Sequence, residues 1–311
     1  MYKKALVTGG AGFIGSHLVR ALLEEGMEVC VLDNLFMGKR ENVPDGAVFF
    51  QGDVCSESDI LNSIQGVDIV FHEAARVSIR SSVEGFYEDA WTNLMGTVNL
   101  LKCCIKSGIR KLVFASSMAV YADSDSPAPI DEHYSTEPIS PYGISKLACE
   151  KYCLNLLKNS KIDCHVLRYF NTYGIGQTFT PYVGVITIFV NRLLEGSPPV
   201  IFGDGEQKRD FIHVSDIVKA NMLSMKSSIP YLVCNVGTGV STSVNEIAEL
   251  LCCRIDPAVR PVYHASKPEE LRYSIADIRN ISEKLDFLPD HHLGDKIDEV
   301  IEYCKGIISV L

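Results

Sequence analysis

The sequence predicts an α/β protein with a doubly wound parallel sheet and a smaller C-terminal lobe. Short apolar runs alternate with amphipathic stretches through residues 4–169, and a glycine-rich turn follows the first run. Strands that alternate with helices form a parallel sheet, because each helix returns the chain to the same end of the sheet. At 311 residues, 47% hydrophobic and 22% charged, the chain is long enough for one large domain or two unequal ones.

The first elements are a strand, a glycine-rich turn and a helix. The strand is predicted at residues 4–8, the turn at 9–15 and the helix at 16–25. Backbone amides at the start of such a helix can face a pyrophosphate, and the glycines let it approach closely. A second predicted strand ends at Asp33, 18 residues after Gly15. An acid there suits the ribose hydroxyls of adenosine and repels a 2′-phosphate, so the pattern predicts a Rossmann-type site for NAD rather than NADP.

The alternation continues, with strands predicted at residues 48–50, 67–71, 111–115 and 165–169 and a helix at 93–106. Ligands of a parallel sheet bind at the carboxyl ends of its strands, and polar residues follow the strands there. Asp53 is placed to meet the adenine amino group, and Ser116 and Ser117 follow a later strand. His72 also follows a buried strand, and we interpret it as a structural hydrogen-bonding residue rather than a catalyst.

The segment at residues 141–146 places a tyrosine and a lysine one helical turn apart. Pro141 suits the first turn of a helix, so Tyr142 and Lys146 share one face. A free tyrosine titrates near ~10, and a neighbouring ammonium lowers that pKa by stabilising the phenolate. A positively charged nicotinamide lowers it further. The spacing alone also fits a packed tyrosine beside a solvated lysine, just as Ser117 alone also fits a capping role.

The pattern changes after residue 172. A surface loop is predicted at 123–140, helices at 185–194, 216–226, 243–253 and 296–308, and further strands near 200–205, 209–213 and 234–237. We expect residues 1–172 to form the NAD-binding domain, with return segments at about 210–240. Residues 173–209 and 241–311 are expected to form the substrate-binding lobe.

Composition excludes several classes of partner. The formal net charge of −10 predicts no nucleic-acid partner. No apolar run reaches the ~20 residues of a membrane span, and the first strand leaves no room for a signal peptide, so we expect a cytoplasmic protein. The eleven cysteines contain no Cys-x-x-Cys motif, which favours reduced thiols over a metal site or disulfides.

Taken together, the motifs resemble the extended short-chain dehydrogenase/reductase family, and within it the nucleotide-sugar epimerases and dehydratases. The resemblance covers nearly the whole chain and is carried by TGGAGFIGSHL (8–18), LDNL (32–35), GDV (52–54), HEAA (72–75), TNLMGT (92–97), SSMAVY (116–121), PYGISK (141–146), RYFNTYG (168–174), GDGEQKRDFIHVSDIVKA (203–220) and NVGTG (235–239).

The resemblance implies the roles of individual residues. The catalytic residues it implies are Ser117, Tyr142 and Lys146. The NAD-binding residues it implies are Gly9, Gly12, Phe13, Ile14, Gly15, Asp33, Asn34, Gly38, Asp53, Val54, Ala74, Ala75, Asn93, Ser116, Tyr142, Lys146 and Tyr169. The substrate-binding residues it implies are Ser78, Ser117, Asn171, Val185, Phe202, Arg209, Lys267, Glu270 and Ser274, and residues 181–186 look like the uridine-binding segment.

The two residues that follow Ser117 narrow the choice of reaction. The similar 4,6-dehydratases carry an Asp-Glu pair here and the decarboxylases a glutamate, whereas this chain has Met118 and Ala119. Neither side chain can transfer a proton, so the resemblance favours 4-epimerisation of a UDP-sugar. In that reaction Tyr142 takes the proton of the 4-hydroxyl, and the carbon gives a hydride to NAD and takes it back on the opposite face of a transient 4-keto sugar.

The substrate is less sharply defined. Lys267 and Glu270 stand where the family often has Arg-x-Gly-Asp, and lysine lacks the bidentate phosphate contact of arginine, so Arg272 is a possible substitute. Ser274 stands where a bulky residue confines the pocket to unmodified hexoses, which favours UDP-N-acetylglucosamine and UDP-N-acetylgalactosamine unless the preference is set elsewhere.

Three other readings stay open. UDP-glucose and UDP-glucuronate are the alternative substrates. A non-catalytic, NAD-sensing binding protein is a distant alternative, because such proteins tend to lose the tyrosine or lysine that this chain keeps. The resemblance also implies a homodimer, formed through helices 93–106 and 143–158.

Overall fold

A seven-stranded parallel sheet forms the centre of the protein in the computed structural model, which describes residues 2–180, 184–266 and 271–308. The strands are β1 (Lys4–Thr8), β2 (Glu28–Asp33), β3 (Val48–Gln51), β4 (Ile69–His72), β5 (Lys111–Ser117), β6 (Asp163–Tyr169), β7 (Asn171–Tyr173), β8 (Val200–Phe202), β9 (Lys208–Arg209), β10 (Phe211–His213), β11 (Tyr231–Val236), β12 (Thr242–Ser243), β13 (Val262–His264) and β14 (Tyr273–Ser274). The order in the central sheet is β11-β6-β5-β4-β1-β2-β3.

Helices cover both faces of this sheet, because its strands are buried on both sides. They are α1 (Phe13–Glu24), α2 (Glu57–Ser63), α3 (Ile79–Glu84), α4 (Phe86–Asp89), α5 (Gly96–Ser107), α6 (Pro141–Asn159), α7 (Val185–Leu194), α8 (Val214–Lys226), α9 (Val244–Ile255), α10 (Arg279–Leu285) and α11 (Leu293–Ile308). A π-helical turn (Ala90–Met95) leads from α4 into α5.

Three of the four hydrophobic cores among the described residues match this layering. One core lies on the α1 and α8 face of the sheet and another on the α5 and α6 face. The third lies between α7, α9 and α11 and belongs to the smaller lobe. The predicted α/β architecture with a doubly wound parallel sheet is confirmed.

Several element boundaries differ from the predicted ones. Helix α1 begins at Phe13, three residues before the predicted start, and Ser116 and Ser117 are the last residues of β5 rather than residues that follow it. The strand predicted at 209–213 is interrupted at Asp210, whose buried carboxylate accepts hydrogen bonds from the backbone amides of Thr238, Gly239 and Ala276. Those contacts fix a bend between β9 and β10.

Helix α10 was not predicted, because it is short and buries only Ile281 and Leu285. Both residues join the core on the α1 and α8 face. This helix therefore packs on the central sheet, although it lies in the range predicted for the substrate-binding lobe.

Within the described ranges, no helix is both long and apolar enough to cross a membrane.

Candidate active site

A cleft of about 1020 Å³ runs across the carboxyl ends of the central strands and continues between the sheet and the smaller lobe. Its floor at one end is the glycine-rich turn after β1, and at the other end it reaches α7 and β8. A cavity of this size at the carboxyl edge of a doubly wound sheet is where a dinucleotide and a second ligand can lie end to end.

The glycine-rich turn comes unusually close to the next strand connection. Gly9 has a φ of +72°, and a Cβ there would lie 2.6 Å from the backbone nitrogen of Ala74. Gly12 precedes α1 as its N-terminal cap with no side-chain capping bond, and residues 12–15 at the start of the helix line the cleft. This is the cradle that a pyrophosphate requires.

The far end of this part of the cleft is acidic. Asp33 accepts backbone hydrogen bonds from Ala11 at 3.0 Å and Leu35 at 2.8 Å, so its carboxylate is fixed at the end of β2. Burial alone would raise the pKa of Asp53, but hydrogen bonds from the Cys55 amide and the Asn34 side chain outweigh it and lower that pKa. Two oriented carboxyl groups thus stand where adenosine hydroxyl and amino groups are expected.

The reaction centre lies where α6 begins against the end of β5. Ser140 caps α6 by accepting a 3.1 Å hydrogen bond from the Gly143 amide, and Pro141 occupies the first turn. Tyr142 and Lys146 then lie one turn apart, both buried, with the Lys146 Nζ 5.9 Å from the centre of the Tyr142 ring. The predicted placement of the pair on one helix face is confirmed.

Two contacts hold this helix against β5 and the turn Met118–Val120 that follows it. The Lys146 ammonium donates a 2.8 Å hydrogen bond to the Ala115 carbonyl. A Cβ on Gly143 would lie 2.1 Å from the Ala119 carbonyl oxygen, so only glycine allows α6 to approach this closely. The close approach brings the Tyr142 hydroxyl within hydrogen-bond reach of Ser117.

Burial governs the acidity of the pair. It raises the pKa of the Tyr142 hydroxyl above its ordinary value, although the hydrogen bond with Ser117 acts in the opposite direction. Burial also lowers the pKa of the Lys146 ammonium. In the protein alone, desolvation of the phenolate outweighs the lowering effect expected of Lys146, so the Tyr142 pKa is raised. The expectation that the positive charge of a bound nicotinamide lowers the Tyr142 pKa stays a prediction.

His72 is structural, as its position predicted. The Thr97 hydroxyl donates its hydrogen bond to the Asn93 carbonyl. Its oxygen therefore accepts a hydrogen bond from the His72 Nε2–H at 2.9 Å. Nδ1 then accepts from the Thr8 hydroxyl at 2.7 Å. Burial lowers the pKa of the imidazole to about 3, which keeps it neutral between β1, β4 and α5.

The cleft brings together most of the sequence-predicted site residues. Those that line it are Gly9, Gly12, Phe13, Ile14, Gly15, Asp33, Asn34, Gly38, Asp53, Val54, Ala74, Ala75, Ser116, Ser117, Tyr142, Lys146, Tyr169, Asn171, Val185, Phe202 and Arg209. Lys267, Glu270 and residues 181–183 lie outside the described residues.

Three predicted residues are not among the described residues that line the cleft. Ser78 caps α3 by accepting a hydrogen bond from the Ser81 amide. Asn93 is buried, and its side chain accepts from the Arg76 amide and donates to the Arg76 carbonyl, so it shapes the loop beside the cleft. Ser274 is buried in β14 beside Arg209 of β9. The structure shows a supporting role for Ser78 and Asn93, and their direct contact with a ligand stays a prediction.

The substrate end of the cleft contains Asn171 and Arg209. The Asn171 side chain donates to the Asp210 carbonyl at 3.3 Å, and the Arg209 guanidinium donates to the Lys208 carbonyl at 2.9 Å. Arg272 forms a bidentate pair with Asp204 at 2.7 and 3.1 Å, with its side chain 41% exposed. That pair holds the Arg272 guanidinium outside the cleft, so the structure gives no support to Arg272 as a diphosphate ligand.

Sequence reasoning missed several polar residues that line the cleft, among them Glu73, Arg80, Gln177 and Gln207. Glu73 carried a usable signal, because a carboxylate directly after a buried strand points to the ligand edge of the sheet. Arg80 places its guanidinium 5.8 Å from the centre of the Phe202 ring, across the cleft. That contact depends on the folded arrangement of two distant segments, and the sequence gives no sign of it.

The fold and the site together define a dinucleotide-dependent enzyme of the extended short-chain dehydrogenase/reductase class. Residues 5–237 match the model of the NAD dependent epimerase/dehydratase family. The chain belongs to this family, and NAD is its cofactor. The cleft fits that cofactor, since the glycine turn leaves the helix amides open and Asp33 stands at the ribose end.

Similar proteins narrow the class. The UDP-glucose 4-epimerase of Mycolicibacterium smegmatis is 34% identical over 97% of this chain and 99% of its own. The structure of the Thermotoga maritima UDP-glucose 4-epimerase with UDP-glucose is 38% identical with a TM-score of 0.94, over 98% of this chain and 99% of its own. The UDP-N-acetylglucosamine 4-epimerase of Methanobrevibacter ruminantium, in complex with UDP-N-acetylmuramic acid, is 35% identical with a TM-score of 0.92, over 99% of both chains. The enzyme is a UDP-sugar 4-epimerase.

Proposed function

We propose that the enzyme interconverts UDP-N-acetylglucosamine and UDP-N-acetylgalactosamine. The observation that carries the proposal is the small side chain of Ser274 beside Arg209, a residue of the substrate end. Ser274 is 1% exposed, and within the described ranges its hydroxyl oxygen has no hydrogen-bond partner. A small residue behind the cleft wall leaves room for the wall to move back when an acetamido group binds. A tyrosine at the same position would push the wall into the cleft.

The chain's own groups account for the proton transfer. Tyr142, as the phenolate, takes the proton of the sugar 4-hydroxyl, and the Ser117 hydroxyl hydrogen-bonds that same oxygen to orient it. Lys146 supplies a fixed positive charge, held by the Ala115 carbonyl. NAD supplies the acceptor and donor of the hydride when it is bound. Proton return from Tyr142 completes the reaction and regenerates the base.

Two other substrates are compatible with the cleft. UDP-glucose is favoured by the similarity to the UDP-glucose 4-epimerases of Mycolicibacterium smegmatis and Thermotoga maritima. The acetamido substrate is favoured by the relative from Methanobrevibacter ruminantium. UDP-glucuronate is the third candidate, and Arg80 in the cleft wall is a side chain that could face its carboxylate.

Product analysis with each of the three UDP-sugars, with and without added NAD, tests the proposal. We expect conversion of UDP-N-acetylglucosamine to exceed conversion of the other two. Ser274→Tyr should lower turnover of the acetamido sugar at least tenfold while leaving turnover of UDP-glucose within about threefold, which makes UDP-glucose the internal control. A preference for UDP-glucose in the unmodified enzyme would refute the substrate proposal alone, and turnover of any UDP-sugar excludes a non-catalytic binding protein.

We also propose that the enzyme works as a homodimer in the cytoplasm. Val83, Tyr87 and Trp91 follow one another at intervals of four and are 45%, 67% and 50% exposed. Their segment packs against α6, which exposes Ile144 and Tyr152. An apolar surface shared by several helices is typical of a subunit contact. The eleven free cysteines suit a reducing compartment.

A further inference from the structure

Glu73 is a carboxyl group in the cleft that the mechanism above does not use. It directly follows β4 and lines the cleft wall. Its Oε1 accepts a 2.9 Å hydrogen bond from the Tyr169 hydroxyl, which in turn accepts a 2.7 Å hydrogen bond from the Asn221 side-chain amide. Residues of β6 and α8 therefore hold this carboxyl group in one orientation.

Glu73 lines the same cleft as Tyr142 and Lys146, and its charge acts on both members of this reaction-centre pair. Its negative charge favours the protonated form of Lys146 and opposes formation of the Tyr142 phenolate. Burial raises the pKa of Glu73 itself to about 7, against the lowering effects of the Tyr169 hydrogen bond and the Lys146 charge. The carboxyl group consequently changes its charge close to neutral pH.

Other titratable groups also adjoin this centre, among them the Cys149 thiol of α6, whose pKa burial raises. His72 adjoins Glu73 on β4 but stays neutral, because burial lowers its pKa to about 3. Asn221 of α8 carries no charge. Asp89, at the end of α4, acts electrostatically on the same pair, and burial raises its pKa. Asp89 accepts a 2.9 Å hydrogen bond from the Asn93 side chain, so it is the competing candidate for any effect assigned to Glu73.

We propose that Glu73 is a positioning residue that sets the proton affinity of the Tyr142–Lys146 pair through its own charge. As a carboxylate it keeps Lys146 protonated, and once protonated it allows Tyr142 to ionise more readily. The inference deepens the proposed function. Only the predicted effect on the pH profile of kcat rests on that function, because the charge of Glu73 can be measured without substrate.

The first test compares the pH profiles of kcat for the holoenzyme and for Glu73→Gln. Removing the charge should move the acid limb to lower pH by about 0.5 to 1 unit, since the phenolate then forms more easily. Glu73→Asp keeps the charge and should leave the limb within about 0.3 unit of its original position, even if the rate falls. A Glu73→Gln profile that superimposes on the original, or a Glu73→Asp profile that shifts as far as the Gln variant, overturns the proposal.

The second test follows the carboxyl group directly by difference infrared spectroscopy of the NAD-loaded enzyme between about pH 5 and 9. We expect a protonated-carboxyl band that titrates near neutral pH, that Glu73→Gln removes and that Asp89→Asn leaves in place. A band that Asp89→Asn removes instead, or no titrating band in this range, overturns the proposal whatever sugar the enzyme uses. This result is independent of turnover, so it separates failure of the inference from failure of the proposed function.

Discussion

Tyr142 owes its reactivity to a small number of fixed neighbours. It is 8% exposed, its hydroxyl lies within hydrogen-bond reach of Ser117, and its amide donates a hydrogen bond to Ser82. Burial makes the neutral phenol the stable form in the protein alone, so deprotonation depends on positive charge brought close to the ring. Lys146 contributes fixed charge and NAD contributes the remainder, which couples the readiness of the base to the presence of the cofactor.

Replacing Tyr142 by phenylalanine tests its role as the base. The variant keeps the ring that fills the cleft wall but loses the hydroxyl assigned to take the proton, so kcat should fall about 10²- to 10⁴-fold. Bound NAD, measured after denaturation of the purified protein, should stay within about twofold of the original. Tyr152→Phe, on the exposed side of the same helix, is the matched control and should retain the original kcat. Equal kcat in both variants would contradict the assignment.

At the scale of the element, the start of α6 does most to assemble the reaction centre. The spacing of Tyr142 and Lys146 and the proline in the first turn were predicted from the sequence, and the structure agrees with both; the Ser140 cap was not predicted. Glu73 was not identified, because its importance comes from Tyr169 on β6, 96 positions later. The sequence also did not show that Ser78 caps α3 or that Asn93 holds the loop at Arg76, a contact between residues 17 positions apart.

Gly143→Ala tests the packing of α6 against β5. The new Cβ would meet the Ala119 carbonyl oxygen at 2.1 Å, so the helix must move and carry Tyr142 away from Ser117. We expect kcat to fall at least tenfold and the free energy of unfolding to fall by about 1 to 3 kcal/mol, the usual cost of overpacking. Gly294→Ala in α11 is the control, because a Cβ there has no heavy atom within 4 Å. Chemical denaturation and initial rates measure the two effects, and a Gly143→Ala variant with the original kcat would show that the close approach is dispensable.

The contact between β4 and α5 makes folding sensitive to acid through His72. The folded-state pKa is depressed to about 3 from 6.5, so the neutral imidazole stabilises the fold fully above about pH 6.5, and this stability is lost as pH falls towards 3. By linkage the loss is on the order of 3 to 5 kcal/mol. His72→Gln, which can keep one donor and one acceptor, should have a flatter dependence of unfolding free energy on pH between about 4 and 6.5. The same change at the exposed His133 should leave the slope unaltered, and equal slopes in His72→Gln and the original protein would contradict this account.

At the scale of the whole molecule, the sequence predicted the parallel sheet and its ligand edge better than it predicted the lobe. Strands buried on both faces and a glycine turn are local signals, and they place the ligand edge without knowledge of the fold. The lobe is built from two- and three-residue strands that pair across long separations, such as Ser274 with Arg209. The hydrophobic periodicity of a short stretch of sequence cannot predict such a pairing. The seven-residue helix α10 shows the same limit, since two buried residues are too few to establish a pattern.

Assembly is the remaining question at this scale, and the exposed row Val83, Tyr87 and Trp91 makes it testable. A homodimer that buries this row together with Ile144 and Tyr152 should dissociate when Tyr87 and Trp91 are both changed to glutamate, because two charges would be desolvated in the contact. Sedimentation equilibrium should then give the mass of one chain, where the original protein gives that of two. Tyr263→Glu, on the β13 strand of the lobe at 56% exposure, should leave the dimer intact. A dimeric double variant would place the subunit contact on another surface, and a monomeric original protein would refute the homodimer itself.

Because Tyr142 and Lys146 lie on the inner side of the same helix α6, the monomeric variant should also lose turnover if the contact holds that helix against β5.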